Sequence, residues 1–297
     1  MRRTAYRAIE ANRRRSILLT ALSAALLVAM FGASVWILGY DNSRVLGPIG
    51  SAFVGGLFVS RDFVVALLRA YPLTAKEGPN LHKRLEAMCV VFGLRIPPQL
   101  YVIEGAFPNA LSLERVGARG ALVVTRSLLQ LSDDEIDAVL GHELSHLVSS
   151  VAGLRMVTAL LSAVMLALAS TRSRMLVGAI ALVIALSVLL LGPAPLYFVL
   201  MLFVFLAADA RISRRREDIA DGQAVLATRY PEGLLRVLRR SQSWSSNAED
   251  RRLTDDASRV AAPLWMIRPP HRRTWIENVL DAHPAVIHRI RHVELMS

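Results

Sequence analysis

The residues best suited to chemistry form a pentapeptide near the middle of the chain, His142-Glu143-Leu144-Ser145-His146. Residues i and i+4 of an α-helix lie on one face, so His142 and His146 can present their imidazole nitrogens to one metal ion. Glu143 is offset by one residue and can reach a water molecule at that metal as a general base. The spacing therefore indicates a zinc-dependent hydrolytic site. Two histidines that meet by chance on an amphipathic helix are the alternative.

The sequence before the pentapeptide predicts the helix that this chemistry requires. Ser132 is followed three residues later by Glu135, which is the pattern of a capping box at a helix N-terminus. An apolar stripe with helical spacing continues from there and passes beneath the two histidines. Its members are Ile136, Val139, Leu140, Leu144 and Leu147.

A catalytic zinc ion requires a third protein ligand and keeps one position for water. The candidate for this ligand is Glu217, within the segment Ser213–Asp221. Asp221 lies four residues after Glu217 on the same helical face, where it can accept a hydrogen bond from a ligand histidine and fix its tautomer. A solvated helix of mixed charge is the alternative for this segment.

Long apolar stretches separate these motifs. The chain has 297 residues, of which 54% are hydrophobic, and its mean hydropathy is +0.41, too apolar for an ordinary soluble domain. Residues 17–39 carry no charge, and as a helix this run is about 35 Å long, enough to cross a hydrocarbon core. A cleaved signal peptide is the alternative, but the run ends in Trp36-Ile37-Leu38 rather than in small residues. We therefore predict a retained membrane anchor.

Three further apolar stretches follow, at residues 45–68, 156–170 and 175–207. The two halves of the candidate metal site can meet only if an even number of membrane crossings lies between them. The last two stretches are therefore predicted to form two spans. The Gly-Pro-Ala-Pro segment at 192–195 is then a kink or a break within one crossing rather than a turn.

The net charge of +11 could indicate a nucleic-acid partner. Its placement argues against one, because arginines cluster at residues 2–15 and 211–216, beside the first and the last apolar stretch. Basic residues beside spans mark the cytoplasmic side of a membrane protein. The single cysteine, Cys89, cannot form an internal disulfide, which agrees with a reducing compartment. We expect a multi-pass protein of the cell (inner) membrane, with both termini and the catalytic site in the cytoplasm and no nucleic-acid partner.

The regions outside the apolar stretches have recognisable secondary-structure patterns. A helix is predicted at about residues 78–94, followed by a strand at Gln99–Glu104, a loop, and a second strand at Ala121–Thr125. Residues 208–297 are polar, rich in arginine and mostly helical in pattern. Within them, residues 241–256 are rich in serine, asparagine and aspartate and predict a mobile loop.

Taken in order, these motifs resemble those of the HtpX-like membrane zinc endopeptidases, a family related to the CAAX prenyl proteases. The shared pattern is HExxH, two apolar segments, and then S-R-x-x-E-x-x-A-D. Pro108-Asn109-Ala110 resembles the asparagine motif of the family, and His283-Pro284 with Arg289 downstream resembles its His-Pro motif. The resemblance covers nearly the whole chain. The sequence departs from the family after HExxH, where a motif ending in Gly-Asp is common and residues 149–151 here are Ser-Ser-Val.

The resemblance implies a zincin-like α+β catalytic domain that binds one Zn²⁺ per chain. It also implies that Asn109 and His283 bind the substrate backbone or stabilise the tetrahedral oxyanion, and that Arg289 braces the acidic helix. The substrate is expected to lie against an edge strand formed by Ala121, Leu122, Val123, Val124 and Thr125. Polypeptides, above all membrane or misfolded proteins, are the implied substrates.

The sequence thus predicts a mainly α fold, a multi-span helical membrane protein whose catalytic domain carries a small β-sheet. Residues 1–71 are assigned to a basic arm with two spans, 72–150 and 211–297 to the two parts of the catalytic domain, and 151–210 to two further spans. The predicted function is peptide-bond hydrolysis by a zinc-activated water with Glu143 as general base. A membrane regulatory protease with one dedicated signalling target and a catalytically silent membrane scaffold are the alternatives.

Overall fold

The computed structural model describes residues 61–114, 119–149, 194–246, 261–268 and 275–296, with single helical positions between residues 11 and 36 and between residues 158 and 189. Its helices are Pro79–Phe92 (α1), Asp133–Ser149 (α2), Ala194–Thr228 (α3), Pro231–Ser246 (α4), Trp275–Val279 (α5) and Val286–Glu294 (α6). Its strands are Tyr71–Pro72 (β1), Gln99–Ile103 (β2), Ala110–Leu113 (β3) and Ala121–Thr125 (β4), with a 3-10 turn at Arg126–Gln130. A mainly helical fold with a small sheet is therefore confirmed.

The four strands form one mixed sheet in the order β1-β2-β4-β3. Strand β4 pairs with β2 in parallel and with β3 in antiparallel orientation, and all five of its residues are buried. The prediction that Ala121–Thr125 is an edge strand is therefore wrong, because its backbone groups are paired on both sides. Among the described strands the edges are β1 and β3, and the sequence analysis left β3 within a loop. A continuous apolar run such as Ala-Leu-Val-Val-Thr is typical of a strand buried on both faces.

Helix α1 confirms the helix predicted at 78–94, with slightly tighter ends. Pro79 occupies its first turn, where the missing N–H removes no helical hydrogen bond. Gly93 ends it at φ 70°, in the left-handed region that glycine adopts without steric cost. The buried face of α1 includes Cys89, and burial raises the pKa of this thiol to about 11. Cys89 is thus a core residue.

Helix α2 carries the pentapeptide and begins with the predicted cap. Oε2 of Glu135 accepts hydrogen bonds from the backbone N–H and the Oγ of Ser132, at 2.9 and 2.8 Å. The remaining oxygen of Glu135 pairs with Arg240 of α4 at 3.0 Å. Acidic residues in the first turn also oppose the positive end of the helix dipole. The start of α2 is therefore fixed by its own sequence and by α4.

Helices α2 and α3 are in close contact at a glycine. A Cβ placed on Gly141 would lie 3.1 Å from the Cα of Ala224 on α3 and 3.2 Å from the Cε of Met88 on α1. Such a separation is tighter than ordinary van der Waals contact, so only glycine fits without a shift of the backbone. This crossing sets His142, the residue after Gly141, against the turn of α3 that contains Asp221.

Helix α4 corrects the predicted loop at 241–256, because its last six residues, 241–246, are helical. Ser241 and Ser243 donate their side-chain hydroxyls to the carbonyls of Leu238 and Arg240, at 2.6 and 2.7 Å. Serines that bond back to the preceding turn are tolerated in a helix interior. Residues 247–256 lie outside the described part of the chain.

Among the residues that the structure describes, no helix combines the length and the apolarity needed to cross a membrane. Most of the predicted spans at 17–39, 45–68, 156–170 and 175–207 fall outside those residues. Helix α3 begins at Ala194, within the Gly-Pro-Ala-Pro segment.

Candidate active site

Two histidines from α2 and one glutamate from α3 converge in the interior. Nε2 of His142 lies 3.2 Å from Nε2 of His146 and 3.3 Å from Oε2 of Glu217. Nε2 of His146 lies 3.2 Å from Oε1 of Glu217. All three side chains are buried, so the predicted ligand set meets at one point.

These separations fit a tetrahedral metal ion. Ligand atoms about 2.0–2.1 Å from a tetrahedral zinc ion lie about 3.3 Å from one another. The three separations given above are within 0.1 Å of that spacing, with each histidine facing a different oxygen of Glu217. Two imidazoles and one carboxylate also form a common donor set of catalytic zinc, which leaves one position for water. Among the described residues, His142, His146 and Glu217 form the group that could hold a metal ion.

Asp221 fixes the orientation of His142. Nδ1 of His142 donates to Oδ1 of Asp221 at 2.9 Å, and in the neutral ring this leaves the lone pair of Nε2 directed at the other two donors. Arg289 of α6 donates through Nε to Oδ2 of Asp221 at 2.8 Å and through Nη2 to Oδ1 at 2.6 Å. Its Nη1 also donates to the carbonyl of Met266 at 2.7 Å. Arg289 therefore contacts the acidic helix directly, through Asp221, as the sequence analysis predicted.

The charges of this buried cluster depend on one another. Burial alone lowers the pKa of His142, but its hydrogen bonds to Asp221 and Glu217 raise it to about 9. Burial alone raises the pKa of Asp221, but the charge and hydrogen bonds of Arg289, with His142, lower it to about 2. Burial alone would also raise the pKa of Glu217, but the two histidines hold the pKa of this carboxyl well below its usual range. Both carboxyl groups are therefore ionised at neutral pH.

Glu143 lies on α2 between the two histidines and is buried, with 1% of its surface exposed. It interacts with the charge of Arg289, whose pKa rises because nearby carboxylates outweigh the effect of burial. Glu143 is not one of the converging donor residues. A buried carboxylate next to His142 that is not itself a ligand is a candidate general base.

A comparison with protein families now decides the family. Residues 75–297 match peptidase family M48. The chain belongs to this family. The M48 match includes every residue of the cluster: the HExxH helix, Glu217, Asp221, His283 and Arg289.

Curated relatives resemble this M48 peptidase over almost its full length. A protein named "Protease HtpX homolog" from Listeria monocytogenes serotype 4b (strain CLIP80459) is 29% identical and covers 98% of this chain and 99% of its own. A protein of the same name from Streptococcus gordonii (strain Challis) is 28% identical over 98% of this chain and 99% of its own. The resemblance to HtpX-like peptidases is confirmed. Among solved structures, Ste24p of S. mikatae matches with a TM-score of 0.47 and 15% identity, covering 93% of this chain and 64% of that one.

The M48 chain places His283 next to the cluster. Its charge is among those that lower the pKa of Glu217, and its side chain is buried. His283 has a charged neighbour in Asp281, whose Oδ1 is 3.6 Å from Nδ1 of His283. The other oxygen of Asp281, Oδ2, is 3.0 Å from Nη1 of Arg268. The sequence analysis missed both of these partners. A carboxylate two residues before the His-Pro motif was the available signal for Asp281.

Asn109 has a different environment from the one that its predicted substrate role suggests. Its Nδ2 donates to the carbonyl of Ile267 at 2.6 Å. Its Oδ1 accepts from the backbone N–H groups of Ala110 and Ile267, at 3.0 and 3.1 Å. The amide thereby attaches residues 261–268 to the start of β3. A contact between Asn109 and substrate stays a prediction.

Proposed function

We propose that this M48 peptidase is a zinc-dependent endopeptidase. The observation that carries the proposal is the convergence of His142, His146 and Glu217 at separations of 3.2–3.3 Å within the buried interior. These three residues would hold the zinc ion. When bound, zinc acts as a Lewis acid that polarises a carbonyl group and makes a water molecule nucleophilic near neutral pH.

Three other residues have separate roles in the proposed reaction. Asp221 keeps the proton of His142 on Nδ1, so that Nε2 remains a ligand. Glu143 takes a proton from the attacking water and later delivers it to the leaving amine, which suits a carboxylate beside the metal site that is not itself a ligand. His283 would donate a hydrogen bond to the negative charge that develops on the substrate carbonyl oxygen.

We propose that the substrate lies extended along β3 rather than β4. Within the described sheet, β3 has a neighbouring strand on one side only. An extended peptide can add to such an edge through backbone hydrogen bonds, with little dependence on its sequence. The N–H of Met266 donates to the carbonyl of Ala110 at 2.8 Å, so the segment 261–268 already contacts the first residue of β3. This arrangement suits unfolded polypeptide, in line with misfolded or membrane proteins as substrates.

We further propose that the chain is a multi-pass protein of the inner cell membrane with a cytoplasmic catalytic site. The support is the uncharged run at 17–39 together with the arginine clusters at 2–15 and 211–216.

The test of the peptidase proposal is Glu143→Gln. The variant is expected to keep about one zinc ion per chain while proteolysis falls roughly 10²–10⁴-fold, because the general base is lost and the ligands remain. Zinc content is measured on purified protein, and proteolysis on an unfolded polypeptide. Asp137→Asn, on the same helix but paired with Arg84 at 2.7 Å outside the site, is the matched control and should keep both properties. An active Glu143→Gln variant, or one without zinc, would contradict the assignment.

A further inference from the structure

The carboxylate of Asp281 faces the ring of His283, the residue expected to meet the substrate oxygen. Oδ1 of Asp281 accepts a hydrogen bond from the backbone N–H of His283 at 3.1 Å and lies 3.6 Å from Nδ1 of its ring. Both side chains are buried. The second distance is that of an ion pair rather than a hydrogen bond. A small rotation of the ring would complete the bond, as catalytic contacts often tighten when substrate binds.

Arg268 holds the other oxygen of Asp281. Its Nη1 lies 3.0 Å from Oδ2, and the two side chains are only 6% and 8% exposed. Burial alone would raise the pKa of Asp281, but His283 and Arg268 hold it well below its usual range. The carboxylate is therefore ionised at neutral pH, which makes it a strong acceptor for Nδ1–H.

Arg268 is itself placed by the sheet. It follows Ile267, whose N–H and carbonyl both bond to the side-chain amide of Asn109. The preceding Met266 donates its N–H to Ala110 of β3. These contacts hold residues 261–268 against the start of β3, the proposed substrate strand. They thereby place Arg268 beside Asp281.

Helix α3 holds Asp281 from a second direction. Nε of Arg214 donates to the backbone carbonyl of Asp281 at 3.0 Å, and its Nη2 donates to that of Asn278 at 3.3 Å. Arg214 lies three residues before Glu217. The position of the Asp281 carboxylate is thus set jointly by the helix that carries Glu217 and by the sheet.

We propose that Asp281 is a positioning residue for His283, and that Arg268 maintains Asp281 in that role. In the imidazolium form both ring nitrogens donate, so Nδ1 can bond Asp281 while Nε2 remains for the substrate oxygen. Without the carboxylate the ring can rotate, and the donor is no longer aimed at the developing charge. The inference rests on the proposed peptidase function, to which it adds a residue.

A double-mutant cycle tests the inference. The kcat and KM of a peptide substrate are measured for Asp281→Asn, His283→Gln and the double variant, each with its zinc content. We expect His283→Gln to lower kcat roughly 10²–10³-fold and Asp281→Asn to lower it roughly 10–100-fold with little change in KM. The double variant should stay within about twofold of His283→Gln, because two residues that act as a unit are not additive.

A merely structural role makes the opposite prediction. If Asp281 only joins residues 261–268 to α3, Asp281→Asn lowers kcat by the same factor whether or not His283 is present, and that result overturns the inference. Should Asp281→Asn not fold, Asp281→Glu and Arg268→Lys keep the charges and enter the same cycle. Asp137→Asn again serves as the control. An inactive wild-type enzyme would instead refute the proposed function, so the two failures are distinguishable.

Discussion

Nδ1 of His142 donates a hydrogen bond to Oδ1 of Asp221 across 2.9 Å, although 79 residues separate them along the chain. Asp221 in turn receives two hydrogen bonds from Arg289, a further 68 residues away. Three helices, α2, α3 and α6, are thereby joined by charged groups that are almost fully buried. A buried ion pair is weak evidence for stability. Here it also fixes the tautomer of a candidate metal ligand, which is a sufficient reason for its presence.

Asp221→Asn is expected to lower zinc affinity roughly 10–100-fold. The asparagine oxygen can still accept from His142, but it no longer neutralises Arg289, which is 1% exposed and would be left with an uncompensated charge. Zinc affinity is measured by competition with a chelator at constant pH. Unchanged affinity would show that the contact between His142 and Asp221 does not tune the site.

Glu217 and Asp218 are adjacent carboxylates with opposite expected importance. Glu217 faces the histidines, whereas Oδ1 of Asp218 lies 4.0 Å from Nδ1 of His288, on another side of α3. Neighbouring residues of a helix point about 100° apart, so only one of them can reach the site. Glu217→Ala should therefore give inactive protein that has lost most of its zinc, and Asp218→Ala should keep both zinc and activity. Metal analysis and proteolysis of the two purified variants decide; a reversed outcome would falsify the ligand set.

The local part of the site was predictable from sequence because its geometry is that of single helices. The spacing of His142 and His146, the cap formed by Ser132 and Glu135, and the pairing of Glu217 with Asp221 each depend on the 3.6-residue period. Family resemblance supplied the remainder of the predicted set. No local pattern states that α2 and α3 cross at Gly141, yet this crossing brings the two halves of the site together.

The errors concern pairing between distant segments. β3 is a four-residue Ala-Leu-Ser-Leu strand without β-branched residues, so its sequence indicates strand only weakly. A partner outside the sheet is Met266, in the segment 261–268, which donates its N–H to the carbonyl of Ala110. Strand order likewise depends on which segments pair, and for that reason β4 was wrongly assigned to the edge. Asp281 was missed because its role depends on Arg268, which reaches it only in the folded chain.

Gly141→Ala is expected to destabilise the protein by about 1–3 kcal/mol and to weaken zinc binding. The added methyl group would meet Ala224 at 3.1–3.4 Å and push α2 away from α3, which separates His142 from Glu217. The apparent melting temperature and the zinc affinity are the measurements.

Gly222→Ala, on α3, is the matched control for this packing argument. Among the described residues, a Cβ at Gly222 meets the side chain of Met296 at 3.7 Å, which is ordinary contact. The substitution should be neutral or stabilise the helix by up to about 1 kcal/mol, because alanine has the higher helix propensity. Equal destabilisation by both variants would contradict the explanation by close approach of α2 and α3.

Cys89 provides the background for a test of membrane orientation. The side chain is 2% exposed, and burial raises the pKa of its thiol to about 11. At pH 8 the thiolate is therefore about one part in a thousand of the Cys89 side chains. The alkylation rate should rise as the pH approaches the pKa of the thiol. We expect folded wild-type protein to resist a maleimide at pH 8 and denatured protein to react with one equivalent.

Single cysteines introduced at Arg3 and Arg291 then report the side of the membrane on which each end lies. We expect both ends to lie in the cytoplasm, because arginines cluster at 2–15 and 211–216 and basic residues beside a span resist translocation. Arg291 is exposed on α6, so a cysteine there should be open to reagent without disturbing the core. In intact cells, a membrane-impermeant maleimide should leave both positions unlabelled, and permeabilisation should expose both. Labelling of either position from outside would exclude an even number of crossings between the termini and the cytoplasmic site, and with it the proposed four-span arrangement.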